Sequence, residues 1–69
     1  MRIFYSPHAK MRMGQKGITE LEVEHILAYP DIVRKSYLGR EIAYGKVKNK
    51  LIRVIFIRTE QPIIVVTIR

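Results

Sequence analysis

The chain changes its hydrophobic rhythm about halfway along. The opening Arg2-Ile3-Phe4-Tyr5 predicts a short strand. Ser6 then offers an N-cap hydroxyl, and Pro7 suits the first helical position, where its missing N–H is not needed. A helix is predicted from Pro7 to Gly14 or Gln15, with Gly17 as its stop. Ile18-Thr19-Glu20-Leu21-Glu22-Val23 carries the best local signal. Thr19 and Glu22 stand three apart, as a capping box requires, and Ile18 and Val23 hold the two places of a hydrophobic staple. The helix that follows buries Val23, Ile26 and Leu27 at helical spacing and stops at Pro30.

Beyond Pro30 the rhythm is that of strands. Residues 32–38, 41–47, 51–58 and 63–68 read as four strands, separated by Leu38-Gly39-Arg40, Lys48-Asn49-Lys50 and Thr59-Glu60-Gln61-Pro62. The last two are nearly continuous β-branched runs, which suits central strands covered on both faces, or on one face by a partner. The connections are short, so these four strands should form an antiparallel meander. The predicted order is β-α-α-β-β-β-β, an α+β fold with two N-terminal helices packed on one face of an antiparallel sheet. At 69 residues the chain is one domain, without linker, repeat or low-complexity segment.

So small a domain is only marginally supported by its own core. Cysteine is absent, so no disulfide or thiolate zinc site braces it, and homodimerisation would help. No signal-peptide stretch is expected, because Ser6-Pro7-His8 interrupts the opening at once. No run approaches the ~20 apolar residues that span a bilayer. A cytoplasmic protein with no membrane partner is the expectation.

Charge sharpens the picture. Thirteen Lys and Arg against six Asp and Glu give a net charge of +7. Three of the acids, Glu20, Glu22 and Glu24, sit at the positive end of the second helix dipole, which accounts for them structurally. The remainder of the molecule is basic, which favours polyanions and makes RNA or another nucleic acid the expected partner.

Several side chains could act on such a partner. His8, Arg12, Gln15 and Lys16 recur at helical spacings on the first helix and predict a phosphate-facing surface, although an ordinary solvated face has the same pattern. Arg34, Lys35, Arg40, Lys46, Lys48, Lys50, Arg53 and Arg58 form a larger basic reserve on the strands. Arg53 and Arg58 interrupt an apolar strand, and their odd separation puts them on opposite faces. Arg53 is the preferred strand cation. Tyr5, Tyr29, Tyr37 and Tyr44 could stack on bases, but no ribonucleoprotein-type aromatic motif is present. Metal chemistry is not expected: His8 and His25 are the only histidines, and no ligand spacing recurs. No cofactor fingerprint appears. An enzyme built from these residues would cleave RNA, with the ribose 2′-OH as nucleophile and His, Lys, Arg or Tyr as catalysts.

The stretch His8-Ala9-Lys10-Met11-Arg12-Met13-Gly14-Gln15-Lys16-Gly17-Ile18-Thr19, with Glu22-Val23 and Pro30, resembles the opening of the domain of unknown function 4258 family. The ending Ile63-Ile64-Val65-Val66-Thr67 is similar to that family's final strand. The family in turn resembles the RelE-like toxins of toxin–antitoxin systems and metal-independent ribonucleases. The resemblance implies that His8, Arg12 and Lys16 are catalytic, with His8 as general base or acid. It also implies that Arg53 and Thr67 neighbour the site, and that an acidic antitoxin-like protein is a partner. Three functions therefore follow as expectations: a ribonuclease, a non-catalytic nucleic-acid-binding domain, or a protein-interaction domain.

Overall fold

The computed structural model describes all 69 residues. It runs β1 (Ile3–Tyr5), α1 (Pro7–Lys16), α2 (Glu20–Ala28), β2 (Ile32–Lys35), β3 (Arg40–Val47), β4 (Lys50–Ile57) and β5 (Ile63–Ile68). The expected order is present, and both helices pack on one face of the sheet. The strands stand in the order β1-β5-β4-β3-β2.

One expectation is corrected. The sheet is mixed, not antiparallel, because β1 lies parallel to β5, with Ile3 opposite Ile63 and Tyr5 opposite Val65. The other four strands form the antiparallel meander. Short turns dictate antiparallel neighbours, and no turn joins β1 to β5. Their pairing is a long-range event that α1 and α2 separate in sequence.

Local chemistry fixes the elements. The hydroxyl of Ser6 accepts from the Ala9 amide at 3.0 Å and caps α1. Gly17 ends that helix at φ 68°, and the Ile18 amide returns to the Met13 carbonyl at 2.9 Å. The capping box of α2 is complete: Thr19 Oγ1 accepts from the Glu22 amide, and Glu22 accepts from the Thr19 amide at 2.9 Å. Between β3 and β4, Lys48 and Asn49 both take positive φ, which gives a two-residue hairpin turn whose twist matches the strands. β2 is shorter than its apolar pattern suggests. It ends at Lys35 because Leu38 and Gly39 both turn left-handed, leaving Tyr37 and Leu38 at an exposed tip.

The core lies between the helices and one sheet face. Ala9 and Met13 of α1 and Val23 and Ile26 of α2 meet Ala43, Ile52, Val54, Phe56, Val65 and Ile68. Each fully buried aliphatic side chain contributes roughly 1.5–3 kcal/mol. Gly45 lets α2 come close: a Cβ there would stand 2.9 Å from Ile26 Cγ1.

The other sheet face carries no helix. Strand register lays out its rows. Thr67, Ile55, Ile42 and Arg34 follow one another across the sheet, and so do Ile64, Ile57 and Arg40. Ile55 is only 6% exposed although no helix covers it, which marks this face as concave. The curvature has a cause. Ile55 pairs with Thr67 and Phe56 with Val65, so Val66 is an extra residue, and such a bulge bends and twists its strand.

Candidate functional site

β1 is three residues long and covers only the first half of β5. The carbonyls farther along β5 must find partners elsewhere, because an unpaired buried backbone group is costly. The chain supplies them as it turns into α1. The Ser6 amide donates to the Val65 carbonyl at 3.0 Å and its hydroxyl donates to the Val66 carbonyl at 2.7 Å. One turn beyond His8, Arg12 donates from Nε to the Ile68 carbonyl at 3.2 Å. In this way α1 is clasped along the open edge of β5.

The clasp orients the helix. Ala9 and Met13 enter the core, and Lys10 turns towards α2, where it pairs with Glu20 at 3.0 Å. His8 and Arg12 are left on the opposite flank, above the end of β5. Together with Arg40, Val66, Thr67 and Arg69 they line a hollow of about 410 Å³. Arg40 comes from β3, two strands away, and reaches the hollow across the concave face.

The hollow is lined by one histidine, three arginines and one threonine beside Val66, and by no Asp or Glu. Both ion pairs of the molecule are elsewhere, Lys10 with Glu20 and Arg58 with Glu41. Arg12, Arg40 and Arg69 therefore pair with no Asp or Glu side chain. Guanidinium groups gathered this way match the oxygens of a phosphate, since each offers paired donors in a planar fork. No three His, Cys, Asp or Glu side chains lie close enough together to hold a metal ion.

Of the residues singled out in the sequence, His8, Arg12 and Thr67 are brought together. Gln15 and Lys16 are not with them. They line a separate hollow of about 280 Å³, with Gly17, Ile18, Val47, Lys48, Lys50, Leu51 and Ile52. Arg53 stands one step outside the first hollow. It exchanges two 2.8 Å backbone hydrogen bonds with Arg69, so the two are direct neighbours across the strands. Arg58 takes the other side of the sheet, over the Phe56 ring and paired with Glu41 at 3.1 Å. Arg34 lies on edge strand β2, in a shallow hollow with Asp31, Ile32, Tyr44 and Leu51.

Three lining residues were not singled out for the site, Arg40, Val66 and Arg69. Arg69 was legible: it stands two residues after Thr67, and strand alternation returns it to the same face. Arg40 was legible only as one of the strand cations, since the curvature of the sheet is what brings it near α1.

No helix is long and apolar enough to cross a membrane. Comparison with curated proteins and with solved structures found no match. The comparison with family models did find one, covering residues 5–69 and so including both helices, the clasp and every residue of the hollow. The chain belongs to that family, described as Domain of unknown function (DUF4258).

Proposed function

We propose that the protein binds RNA on its concave basic face and cleaves it in the His8 hollow, as a RelE-like endoribonuclease that works through side chains alone. The observation that carries this reading is the gathering of His8, Arg12, Arg40, Thr67 and Arg69 around one cavity with no Asp or Glu in its lining. Cleavage of RNA by its own ribose needs little else. The 2′-oxygen attacks phosphorus as His8 takes the hydroxyl proton. The bond from phosphorus to the 5′-oxygen breaks, and that oxygen takes a proton from the imidazolium or from water. The products are a 2′,3′-cyclic phosphate and a free 5′-hydroxyl. Arg12, Arg40 and Arg69 hold the non-bridging oxygens while negative charge builds on them. Thr67 adds a neutral hydroxyl donor.

The test is incubation of labelled RNA with the protein in EDTA, beside His8→Ala and His8→Ala/Arg12→Ala. His8 is exposed, so its replacement leaves the core intact. Loss of a positioned acid–base group lowers the rate about 10²–10⁴-fold. Undiminished cleavage in His8→Ala refutes the assigned role.

A second reading, RNA binding without catalysis, is favoured by one detail. Arg12 already spends its Nε on the Ile68 carbonyl, and His8 is the only imidazole in the hollow. This reading expects RNA to be retained but not cut, with affinity that falls steeply as salt rises.

A further inference from the structure

We propose that the hollow at the far end of α1 is a second phosphate subsite, which holds the same RNA strand several nucleotides away from His8. The inference rests on the RNA-binding part of the proposed function and not on cleavage. Lys16, Lys48 and Lys50 converge on this cavity of about 280 Å³, whose apolar lining includes Ile18, Val47 and Ile52.

Three ammonium groups around one cavity repel one another. A structure that needed only a soluble hairpin tip could scatter them. Here two features assemble them. The left-handed Gly17 ends α1 and drops Ile18 into the core, which leaves Lys16 at the rim. The two-residue turn at Lys48-Asn49 then brings Lys48 and Lys50 up from the opposite side. None of the three is in an ion pair. Glu22 feels the charge of Lys48, but its carboxylate is committed to the Thr19 amide at 2.9 Å. No acid lines the cavity.

The two hollows share α1. One takes His8 and Arg12, the other Gln15 and Lys16. Eight residues of helix separate His8 from Lys16, which is about 12 Å along the axis. At about 3.4 Å per stacked nucleotide, the distance is roughly four nucleotides. Gln15 sits between the arginine and lysine groups as a neutral donor and acceptor. A single strand laid along this flank meets Arg12 first and the lysines after it. A strand of two nucleotides cannot reach both.

The test compares uncleavable 2′-O-methyl strands of two and eight nucleotides by fluorescence anisotropy across a salt series. The proteins are wild type, Lys48→Gln/Lys50→Gln, and Arg2→Gln/Lys35→Gln, which removes equal charge outside both hollows. Each lost phosphate contact to a single strand lowers the slope of log affinity against log salt by about 0.7. The first variant should therefore lose roughly 1.4 of slope on the long strand. It should lose less on the short strand, which reaches one hollow at a time, and the control variant should lose none on either. An unchanged slope in Lys48→Gln/Lys50→Gln overturns the proposal, as does an equal loss in the control. Cleavage of ordinary RNA is scored separately. If RNA is cut and the slope holds, the second subsite falls and the cleavage reading survives. If the slope drops and no RNA is cut, the subsite stands without the chemistry.

Discussion

Gly45→Ala is a demanding test of how this fold is held together, because it adds one methyl group at a place of known clearance. Gly45 lies in β3 opposite Ile52, and the face it turns inward meets α2. A Cβ at this position would stand 2.9 Å from Ile26 Cγ1, 3.2 Å from Cγ2 and 3.4 Å from Cβ. Carbon atoms settle at about 3.5–4.0 Å. The helix must therefore retreat by several tenths of an ångström, or Ile26, which is 2% exposed, must leave its rotamer. Overpacking of this kind costs about 1–3 kcal/mol. Replacing glycine recovers about 0.4–1 kcal/mol through the entropy of the unfolded chain. The net loss is about 1.5 kcal/mol, and at about 4–8 °C per kcal/mol for a domain of this size the melting temperature falls roughly 6–12 °C. Urea denaturation of Gly45→Ala, Ile26→Ala and the double variant isolates the contact. Ile26→Ala alone costs about 2–5 kcal/mol through the cavity it leaves. In that background the methyl added at position 45 has room, so its penalty disappears. A penalty of equal size in both backgrounds, or a stabilised Gly45→Ala, refutes the argument.

Other consequences follow from the helix caps and from the one strongly shifted tyrosine. Thr19→Ala removes the hydroxyl that accepts from the Glu22 amide and costs about 1 kcal/mol, read as a lower urea midpoint. The same cap holds the Glu22 carboxyl below its ordinary 4.5, first through the Thr19 backbone amide. Its folded value lies below the unfolded one, so its contribution is whole above pH 4.5 and is lost as pH falls further. An acid titration of stability should show this component in wild type and lack it in Glu22→Gln. Burial, and then repulsion from Glu20 and Glu24, pushes the Tyr5 hydroxyl up from 10.0 to about 12. The raised value favours the neutral form in the fold, so that contribution is present below pH 10.0 and is lost as pH rises to about 12. Phenolate absorbance should show one of the four tyrosines ionising near pH 12, and Tyr5→Phe should abolish that late phase. Simultaneous ionisation of all four would contradict it.

What the sequence disclosed was mainly what neighbours in the chain decide. Ser6 and Pro7, Gly17, and the Thr19–Glu22 pair act over three or four residues, and the structure uses each of them as the spacing predicts. The parallel pairing of β1 with β5 spans about sixty residues and leaves no local trace. The bulge at Val66 is hidden for a different reason. Ile63-Ile64-Val65-Val66 is apolar on both faces, so no alternation exists in which an extra residue could show. Lys16 illustrates a limit of helical spacing. Steps of four and three keep neighbours on one flank, but they also climb the axis, by about 12 Å over the eight residues from His8 to Lys16. At that height Gln15 and Lys16 border the hollow of Lys48 and Lys50 instead.

These hidden features decide where the hollow forms. Because β1 stops after three residues, the second half of β5 is open at its edge. Because Val66 is inserted there, the successive carbonyls of Val65 and Val66 both meet Ser6, and the strand bends. The bend draws the open face inward until Arg40 on β3 shares a cavity with α1. Arg12 closes the arrangement by bonding the Ile68 carbonyl while the rest of its guanidinium borders the same cavity. A side chain that mends a broken strand edge is held in place by that task. It needs little further ordering to meet a phosphate, which is the preorganisation that charge stabilisation requires. The defect in the sheet and the proposed site are thus one feature, and a change that lengthened β1 to cover the edge of β5 would displace Arg12 from it.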